Sequence, residues 1–254
     1  MDAPWTERNL RQMMVKACAA LERKGLVAAT DGNVTARLGP DRILVTPSGT
    51  SKGEIGELDI LLCDADGRKI RGRGDVSSEI HVHLAAYRAR PDIGGVVHAH
   101  PPVATAFTFA GQEHWLQAPV VPEVVAQIGP IPTCPYVTPG TRALAEAAGP
   151  YFKQCDIVML AQHGAVAVAK DPWAAYLRME KLEQFATIVK TAREIAGDDA
   201  RVRKLSDEQC ETLRQSYGKG RLKKSESSGV PAPIPDELIA KIANEVLQKL
   251  GRAG

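Results

Sequence analysis

Three of the six histidines are spaced for a shared metal site. His98 and His100 lie two apart on a predicted buried strand, so both side chains leave one face and point to the same place. His163 follows a second buried apolar run and precedes a glycine. Three imidazoles can hold zinc and leave a fourth position for water or substrate, and the donor type does not exclude Mn, Co or Fe. The pattern predicts a three-histidine metal site, with hydrogen-bonded histidines beside a surface turn as the alternative interpretation.

Glu79 is the carboxylate best placed for acid–base chemistry. It lies close to the start of a predicted helix, where the helix dipole favours a negative charge. It also shares a helix face with His83, four residues further on. The alternative interpretation is an acid that only stabilises the first turn. The other histidines are expected to have lesser roles: His83 supporting the site or structural, His81 solvated or packed, and His114 exposed.

Three short polar segments are candidates for holding a phosphate. Each supplies hydroxyl, amide or backbone N–H donors, and a helix start adds the positive end of its dipole. Taken singly, each is more often a plain turn or a helix cap. The sequence has no Walker-type or GxGxxG loop, so it does not imply a nucleotide. The segments are Gly32-Asn33, Ser48-Gly49 and Ser77-Ser78.

Apolar periodicity and turn residues predict the elements that position these side chains. Ser77 or Ser78 is expected to cap the helix that follows. Helices are predicted over residues 7–24, from the Ser77-Ser78 pair to about 90, from about 103, over 141–153 and over 172–195. Strands are predicted within 26–46 (two, joined at 39–41), within 58–73 (a hairpin), and over 95–100 and 156–160, with short strands and turns over 119–141.

Composition restricts the classes of partner and compartment. A net charge of +2 over 254 residues is too small to predict a nucleic-acid or membrane partner. The N-terminus is too charged for a signal peptide, and no apolar run is long enough to span a bilayer. The five cysteines form no CxxC pair and are expected to be reduced thiols of a cytoplasmic protein: Cys18, Cys63, Cys134, Cys155 and Cys210.

Six segments, taken in order, resemble the class II aldolase/adducin family. One such motif would be weak, whereas six in the same order over most of residues 5–217 are highly specific. The resemblance implies an α/β fold of three layers, α/β/α, with a largely antiparallel central sheet. The domain is expected to span residues 1–218. The segments are residues 30–37, 46–49, 77–79, 98–100, 135–141 and 162–164.

The resemblance also implies the roles of site residues. It implies that His98, His100, His163 and, in the resting site, Glu79 bind one Zn²⁺ per subunit, with Glu79 as the acid/base. It implies that the three polar segments hold the substrate phosphate. Tyr217 aligns with a tyrosine that reaches a neighbouring subunit's site, and the family usually forms a C4 homotetramer with sites between subunits.

Within the family, the pattern is most similar to the branch that cleaves L-fuculose 1-phosphate. The implied reaction is retro-aldol cleavage of this or a related ketose 1-phosphate to dihydroxyacetone phosphate and an aldehyde such as lactaldehyde. One departure concerns the aldehyde half, because a second active-site tyrosine of that branch would align near Val121, where this chain has none. Glu123 is a candidate to take part in its place.

Other members of the same fold remain alternatives. A pentulose-phosphate 4-epimerase typically carries Asp where this chain has Glu79, which favours an aldolase. A methylthioribulose-phosphate dehydratase or a decarboxylase is also open. A non-catalytic, adducin-like scaffold would lack the metal site, and the presence of all three histidines argues against it.

The last part of the chain differs in composition from the rest. Residues 219–235 are basic and then rich in Ser, Pro and Gly, which predicts a flexible linker. Residues 236–254 begin with an amphipathic helix pattern. The arrangement resembles an encapsulation peptide that would bind a shell protein and place the enzyme in a bacterial microcompartment. A frayed extension and a membrane-bound helix are the alternatives, the latter disfavoured by few lysines and no Trp or Phe.

Overall fold

The computed structural model describes residues 5–217. The predicted linker over 219–235 and helix over 236–254 lie outside the described residues and stay predictions. Within 5–217, the centre is an eight-stranded sheet. Its strands are β1 (Asn33–Gly39), β2 (Arg42–Val45), β3 (Leu61–Cys63), β4 (Lys69–Arg71), β5 (Gly95–Ala99), β6 (Thr133–Cys134), β7 (Ile157–Leu160) and β8 (Gly164–Ala169).

The strand order is β4-β3-β2-β1-β5-β8-β7-β6, and only the β6–β7 pair is parallel. Helices cover both faces of this sheet, α2 with α5 on one side and α1, α3 and α6 on the other. The predicted α/β/α layering with a largely antiparallel sheet is confirmed. The helices are α1 (Glu7–Arg23), α2 (Ile80–Ala89), α3 (Pro102–Phe109), α4 (Pro122–Gln127), α5 (Arg142–Phe152), α6 (Pro172–Ala196) and α7 (Asp207–Tyr217).

Local capping chemistry sets the ends of the longest helices. The Thr6 side chain accepts from the backbone N–H of Asn9 at the start of α1. Asp171 caps α6 in the same way, and Pro172 occupies the first turn, where no N–H is needed. Gly197 ends α6 in a left-handed conformation. These signals explain why the sequence located α1 and α6 closely.

Several element predictions were wrong or incomplete. The N-cap of α2 is Glu79, not Ser77 or Ser78, and its side chain makes no capping hydrogen bond. Ser77 instead accepts from the Glu79 backbone N–H at 3.3 Å, so the serines form the turn before the helix. The first strand begins at Asn33 rather than near residue 26. Strand β8 and helices α4 and α7 were not predicted.

A ladder of polar contacts fixes α2 on the sheet. Alternate residues of β1 point to the same face, and each meets a successive turn of α2. Asn33 donates to the Glu79 carboxylate at 2.8 Å, and the Thr35 hydroxyl lies 2.8 Å from Nδ1 of His83. Arg37 donates to the Tyr87 carbonyl at 2.7 Å. The spacings match because two strand residues and four helix residues both advance about 6–7 Å.

Thr35 is the central contact of this ladder. It is fully buried, and its hydroxyl also lies 3.0 Å from the hydroxyl of Tyr87. The imidazole of His83 is equally buried, and burial lowers its pKa to about 3, so the ring is neutral. The Thr35 hydroxyl therefore satisfies two polar groups that have no access to water.

No helix within residues 5–217 combines the length and the apolar character that crossing a bilayer requires.

We predict that Thr35→Val destabilises the protein although it barely changes side-chain volume. The valine leaves His83 Nδ1 and the Tyr87 hydroxyl without this partner, at a cost of about 1–3 kcal/mol. Urea unfolding followed by circular dichroism measures the change in the free energy of unfolding. The matched control is Thr187→Val on the exposed side of α6. Equal stability of the two variants would contradict the role given to Thr35.

Candidate active site

The structure brings His98, His100 and His163 together around one point. Their ring centroids are 4.7–5.1 Å apart, and one ring nitrogen from each lies within 4.8 Å of the others. His98 lies in β5 and His100 just after it, whereas His163 lies in the turn between β7 and β8. The expectation that the two strand-end histidines share a face is confirmed.

Strand pairing explains the meeting of such distant residues. β5 pairs with β8 so that His98 faces Val166, and β7 pairs with β8 through a tight turn. Gln162 adopts a left-handed backbone, with φ of 55°, and thereby turns the chain at His163. A Cβ at Gly164 would lie 2.5 Å from the Ala99 carbonyl oxygen and 2.7 Å from Cδ2 of His100. Only glycine therefore fits where the imidazoles pack against this turn.

Backbone and side-chain partners orient the rings. Nδ1 of His98 lies 3.0 Å from the Ala165 carbonyl, so this nitrogen carries the proton and Nε2 keeps its lone pair. Nδ1 of His100 lies 3.4 Å from a carboxylate oxygen of Asp31, which directs its Nε2 inward as well. Burial lowers the pKa of His98 to about 4, and burial also lowers the pKa of His100. Both rings are neutral near pH 7, as metal ligands must be.

Glu79 contacts two of the three histidines of the cluster. Its Oε1 lies 3.1 Å from Nε2 of His163, and its Oε2 lies 3.4 Å from Nε2 of His98. Burial by itself would raise the pKa of this carboxyl, but hydrogen bonds from the His163 ring and the Asn33 amide reverse the shift and hold the pKa below its usual range. The ionised form is therefore the stable one in this arrangement.

These distances test whether a metal ion fits. Tetrahedral zinc with ligand bonds near 2.05 Å separates its ligand atoms by about 3.3 Å. The nitrogen–nitrogen distance between His98 and His100 is 3.2 Å, and the ligand nitrogens of all three histidines lie within 4.8 Å of one another. The two oxygens of Glu79 lie 3.1 Å from His163 and 3.4 Å from His98. Three neutral imidazoles and one carboxylate are donors that suit a divalent cation. The residues present fit such an ion.

All six residues predicted to hold phosphate line one cavity beside this cluster. The cavity has a volume of about 310 Å³ and also exposes His100, His163 and Glu79. Gly32 adopts a left-handed backbone, and a Cβ there would lie 2.9 Å from the His98 carbonyl oxygen, so glycine lets this loop approach β5. The six residues are Gly32, Asn33, Ser48, Gly49, Ser77 and Ser78.

The cavity has further lining residues to which the sequence gave no role of their own. Asp31, Pro139 and Gly140 lie within segments that carry the family resemblance, so their signal was present. Lys52 lies outside those segments and was missed. A single lysine in a turn carries no pattern that marks it as buried.

Other residues singled out in the sequence lie elsewhere. Tyr217 ends α7, has 67% of its surface exposed and does not line the cavity of its own chain. Glu123 is exposed on the short helix α4 and does not line that cavity either. His114 is exposed as expected, and His81 is partly buried. Neither Tyr217 nor Glu123 is therefore placed beside the histidine cluster of its own chain.

Comparison with known proteins gives one consistent family. The sequence profile of the Class II Aldolase and Adducin N-terminal domain matches residues 12–189. The chain is 31% identical over 214 residues to L-fuculose phosphate aldolase of Escherichia coli strain K12, covering 83% of this chain and 95% of that protein. It is 30% identical over 201 residues to 3-oxo-tetronate 4-phosphate decarboxylase of Pectobacterium atrosepticum, covering 76% and 92%.

A solved structure of L-fuculose 1-phosphate aldolase superposes with a TM-score of 0.71 at 28% identity. The match covers 83% of this chain and 96% of that one.

We predict that Gly164→Ala weakens metal binding, because the added methyl group displaces the rings of His98 and His100. Disturbing the groups that orient metal ligands typically weakens affinity by about 10- to 100-fold. Competition with a chromogenic zinc chelator measures that affinity. The control is Gly149→Ala in α5, where a Cβ would meet nothing nearer than 3.9 Å. Unchanged metal affinity in Gly164→Ala would show that the close packing is irrelevant to the site.

Proposed function

Because the chain belongs to the class II aldolase and adducin family, we propose that it is an aldolase that cleaves a ketose 1-phosphate with the help of one zinc ion per subunit. L-fuculose 1-phosphate is the leading candidate, and the products would be dihydroxyacetone phosphate and lactaldehyde. The observation that supports this proposal is the shared cavity, in which the histidine–glutamate cluster lies beside all three predicted phosphate segments.

The size of the cavity supports a small substrate. Pockets for drug-sized ligands have volumes of about 300–1,000 Å³, so about 310 Å³ lies at the lower limit. Loops with serine hydroxyls and backbone N–H groups suit a phosphate at one end. The metal cluster at the other end suits the carbonyl and hydroxyl oxygens of the sugar.

The proposed reaction divides between cation and protein. A divalent cation held by His98, His100 and His163 would polarise the ketose carbonyl and stabilise the negative charge left when the C3–C4 bond breaks. The bonding electron pair stays on C3, and we assign to Glu79 the delivery of a proton to that carbon. Displacement of Glu79 from the cluster by substrate would free it for this step.

The aldehyde half needs a base that removes the C4 hydroxyl proton. We assign this step to Tyr217 of a neighbouring subunit in a homotetramer. Its 67% exposure at the end of α7 supports an intersubunit role, since the phenol is accessible to a second chain. Glu79 is ionised in the cluster, so after substrate displaces it the carboxylate must first take up a proton from water before it protonates C3. One proton leaves the C4 hydroxyl and one arrives at C3, so the reaction is balanced without a redox partner.

A decarboxylase of the same family is the second candidate. It is favoured by the 30% identity to the 3-oxo-tetronate 4-phosphate enzyme. Loss of CO₂ beside a carbonyl leaves the same kind of negative charge on carbon, so the same cluster would serve it. An epimerase is less well supported because of Glu79, and a non-catalytic scaffold because the histidine cluster is complete.

We predict that the metal-loaded protein releases dihydroxyacetone phosphate from a ketose 1-phosphate and that a chelator abolishes this activity. A panel with L-fuculose 1-phosphate, L-rhamnulose 1-phosphate and 3-oxo-tetronate 4-phosphate, read by a coupled triose-phosphate assay and by CO₂ release, distinguishes the candidates. Zinc content by elemental analysis, with restoration by added Zn²⁺, identifies the ion. Release of CO₂ from 3-oxo-tetronate 4-phosphate, together with no triose phosphate from either ketose 1-phosphate, would replace the aldolase proposal by the decarboxylase.

We predict that Glu79→Gln lowers turnover by about 100-fold or more, the usual contribution of a positioned acid/base. The amide keeps the shape of the side chain but does not carry the proton, so zinc content and substrate KM should change far less than kcat. Glu146→Gln, an exposed position on α5, is the control. Near-normal turnover in Glu79→Gln would exclude the assigned role.

A further inference from the structure

Lys52 is a buried cation in the phosphate half of the cavity. It begins a short 3-10 helix, Lys52–Glu54, and only 1% of its surface is exposed. Among the described residues that line the cavity, it is the only lysine or arginine. The other groups at this end are neutral donors, apart from the Asp31 and Glu79 carboxylates, which repel an anion.

The ammonium group of Lys52 joins the two loops that carry the predicted phosphate segments Gly32-Asn33 and Ser48-Gly49. Its Nζ donates to the carbonyl oxygen of Thr30 at 3.0 Å and to that of Thr50 at 2.7 Å. Thr30 belongs to the loop that leads into Gly32-Asn33, and Thr50 directly follows Ser48-Gly49. Ammonium has three N–H donors, and residues 5–217 supply it with these two acceptors, so a third N–H remains for another acceptor.

The charge of this ammonium is not neutralised by the part of the chain that the structure describes. Within residues 5–217, no carboxylate lies within 4.0 Å of the Lys52 nitrogen. Burial lowers the pKa of Lys52, and Cys18, Asp31, Glu22 and Glu79 oppose this shift. Burial raises the pKa of the Cys18 thiol to about 12, so the thiol is neutral near pH 7 and does not pair with the ammonium. A buried charge is costly unless it is paired, and a phosphate dianion entering this end of the cavity would pair it.

We propose that Lys52 is a specificity-determining residue that supplies the positive charge by which the cavity selects a phosphate monoester over a neutral sugar. The inference rests on the proposed function in one respect, namely that the three loop segments hold a phosphate. Lys52 both ties two of these loops together and offers its third N–H to the anion. A charge-assisted hydrogen bond to phosphate is about twice as strong as a neutral one.

Binding of inorganic phosphate tests the inference without sugar turnover. Calorimetric titration is done on the zinc-loaded protein with acetohydroxamate saturating the metal, so that phosphate does not bind the ion itself. We compare the wild type with Lys52→Met, Lys52→Gln and Lys52→Arg. Lys52→Met and Lys52→Gln should bind phosphate about 10-fold more weakly or worse, and Lys52→Arg should stay within about 3-fold, since it alone keeps the charge.

The salt dependence of phosphate affinity separates charge from loop geometry. Added NaCl should weaken binding to the wild type because it screens the charge, and this dependence should flatten in Lys52→Gln, which keeps a donor without the charge. If Lys52→Met or Lys52→Arg does not fold, the comparison of wild type with Lys52→Gln still decides.

Either of two results would overturn this inference and leave the proposed function unaffected. One is a Lys52→Gln variant with wild-type phosphate affinity and salt dependence, and the other is a Lys52→Arg variant that folds but binds as weakly as Lys52→Met. A wild type that binds no phosphate would overturn it together with the phosphate half of the proposed function. Aldolase activity on the ketose panel is measured separately, so failure of the reaction proposal is distinguishable from both.

Discussion

The antiparallel pairing of β5 with β8 is the constraint on which the site depends. It sets His98 opposite Val166 and brings the turn at His163 back beside the end of β5. A shift of this register by one residue would turn His98 to the other face of the sheet. Burial maintains this register, since every residue of β5 and β8 is buried. The backbone hydrogen bonds of the sheet therefore bring the imidazoles together, and the Ala165 carbonyl and the Asp31 carboxylate then orient two of the rings.

Glu79 is placed by a different set of interactions, the contacts between β1 and α2. Glu79 is the N-cap of α2, and the contacts between β1 and α2 set both the height and the rotation of that helix. Asn33 is the point where the two arrangements meet, because it pairs with His98 across the sheet and donates to Glu79 above it. Carboxylate and imidazoles thus share one reference strand, and a movement of α2 along β1 would move the acid/base away from the histidines.

The sequence located the histidine cluster because strand periodicity and motif order are local signals. His98 and His100 share a face by simple alternation, and the six ordered segments implied the third ligand. Strand β8 was missed because its apolar residues, Gly164 to Ala169, directly follow the tight turn. They show no alternation of polar and apolar side chains. Burial of Lys52 was not predictable either, since it follows from two carbonyls supplied by separate loops. Contacts of this kind exist only once the chain has folded.

The cavity separates what this chain provides from what a partner would have to provide. The groups that we propose to hold phosphate and to stabilise charge on carbon line one cavity of a single chain. Cleavage of a carbon–carbon bond and loss of CO₂ place the same demand on these groups, because both leave an electron pair beside a carbonyl. The two reactions differ in the departing half, and Tyr217 and Glu123, the residues considered for that half, do not line this cavity. The residues that line this cavity therefore suit either reaction, and the choice between the two would depend on the groups that handle the departing half.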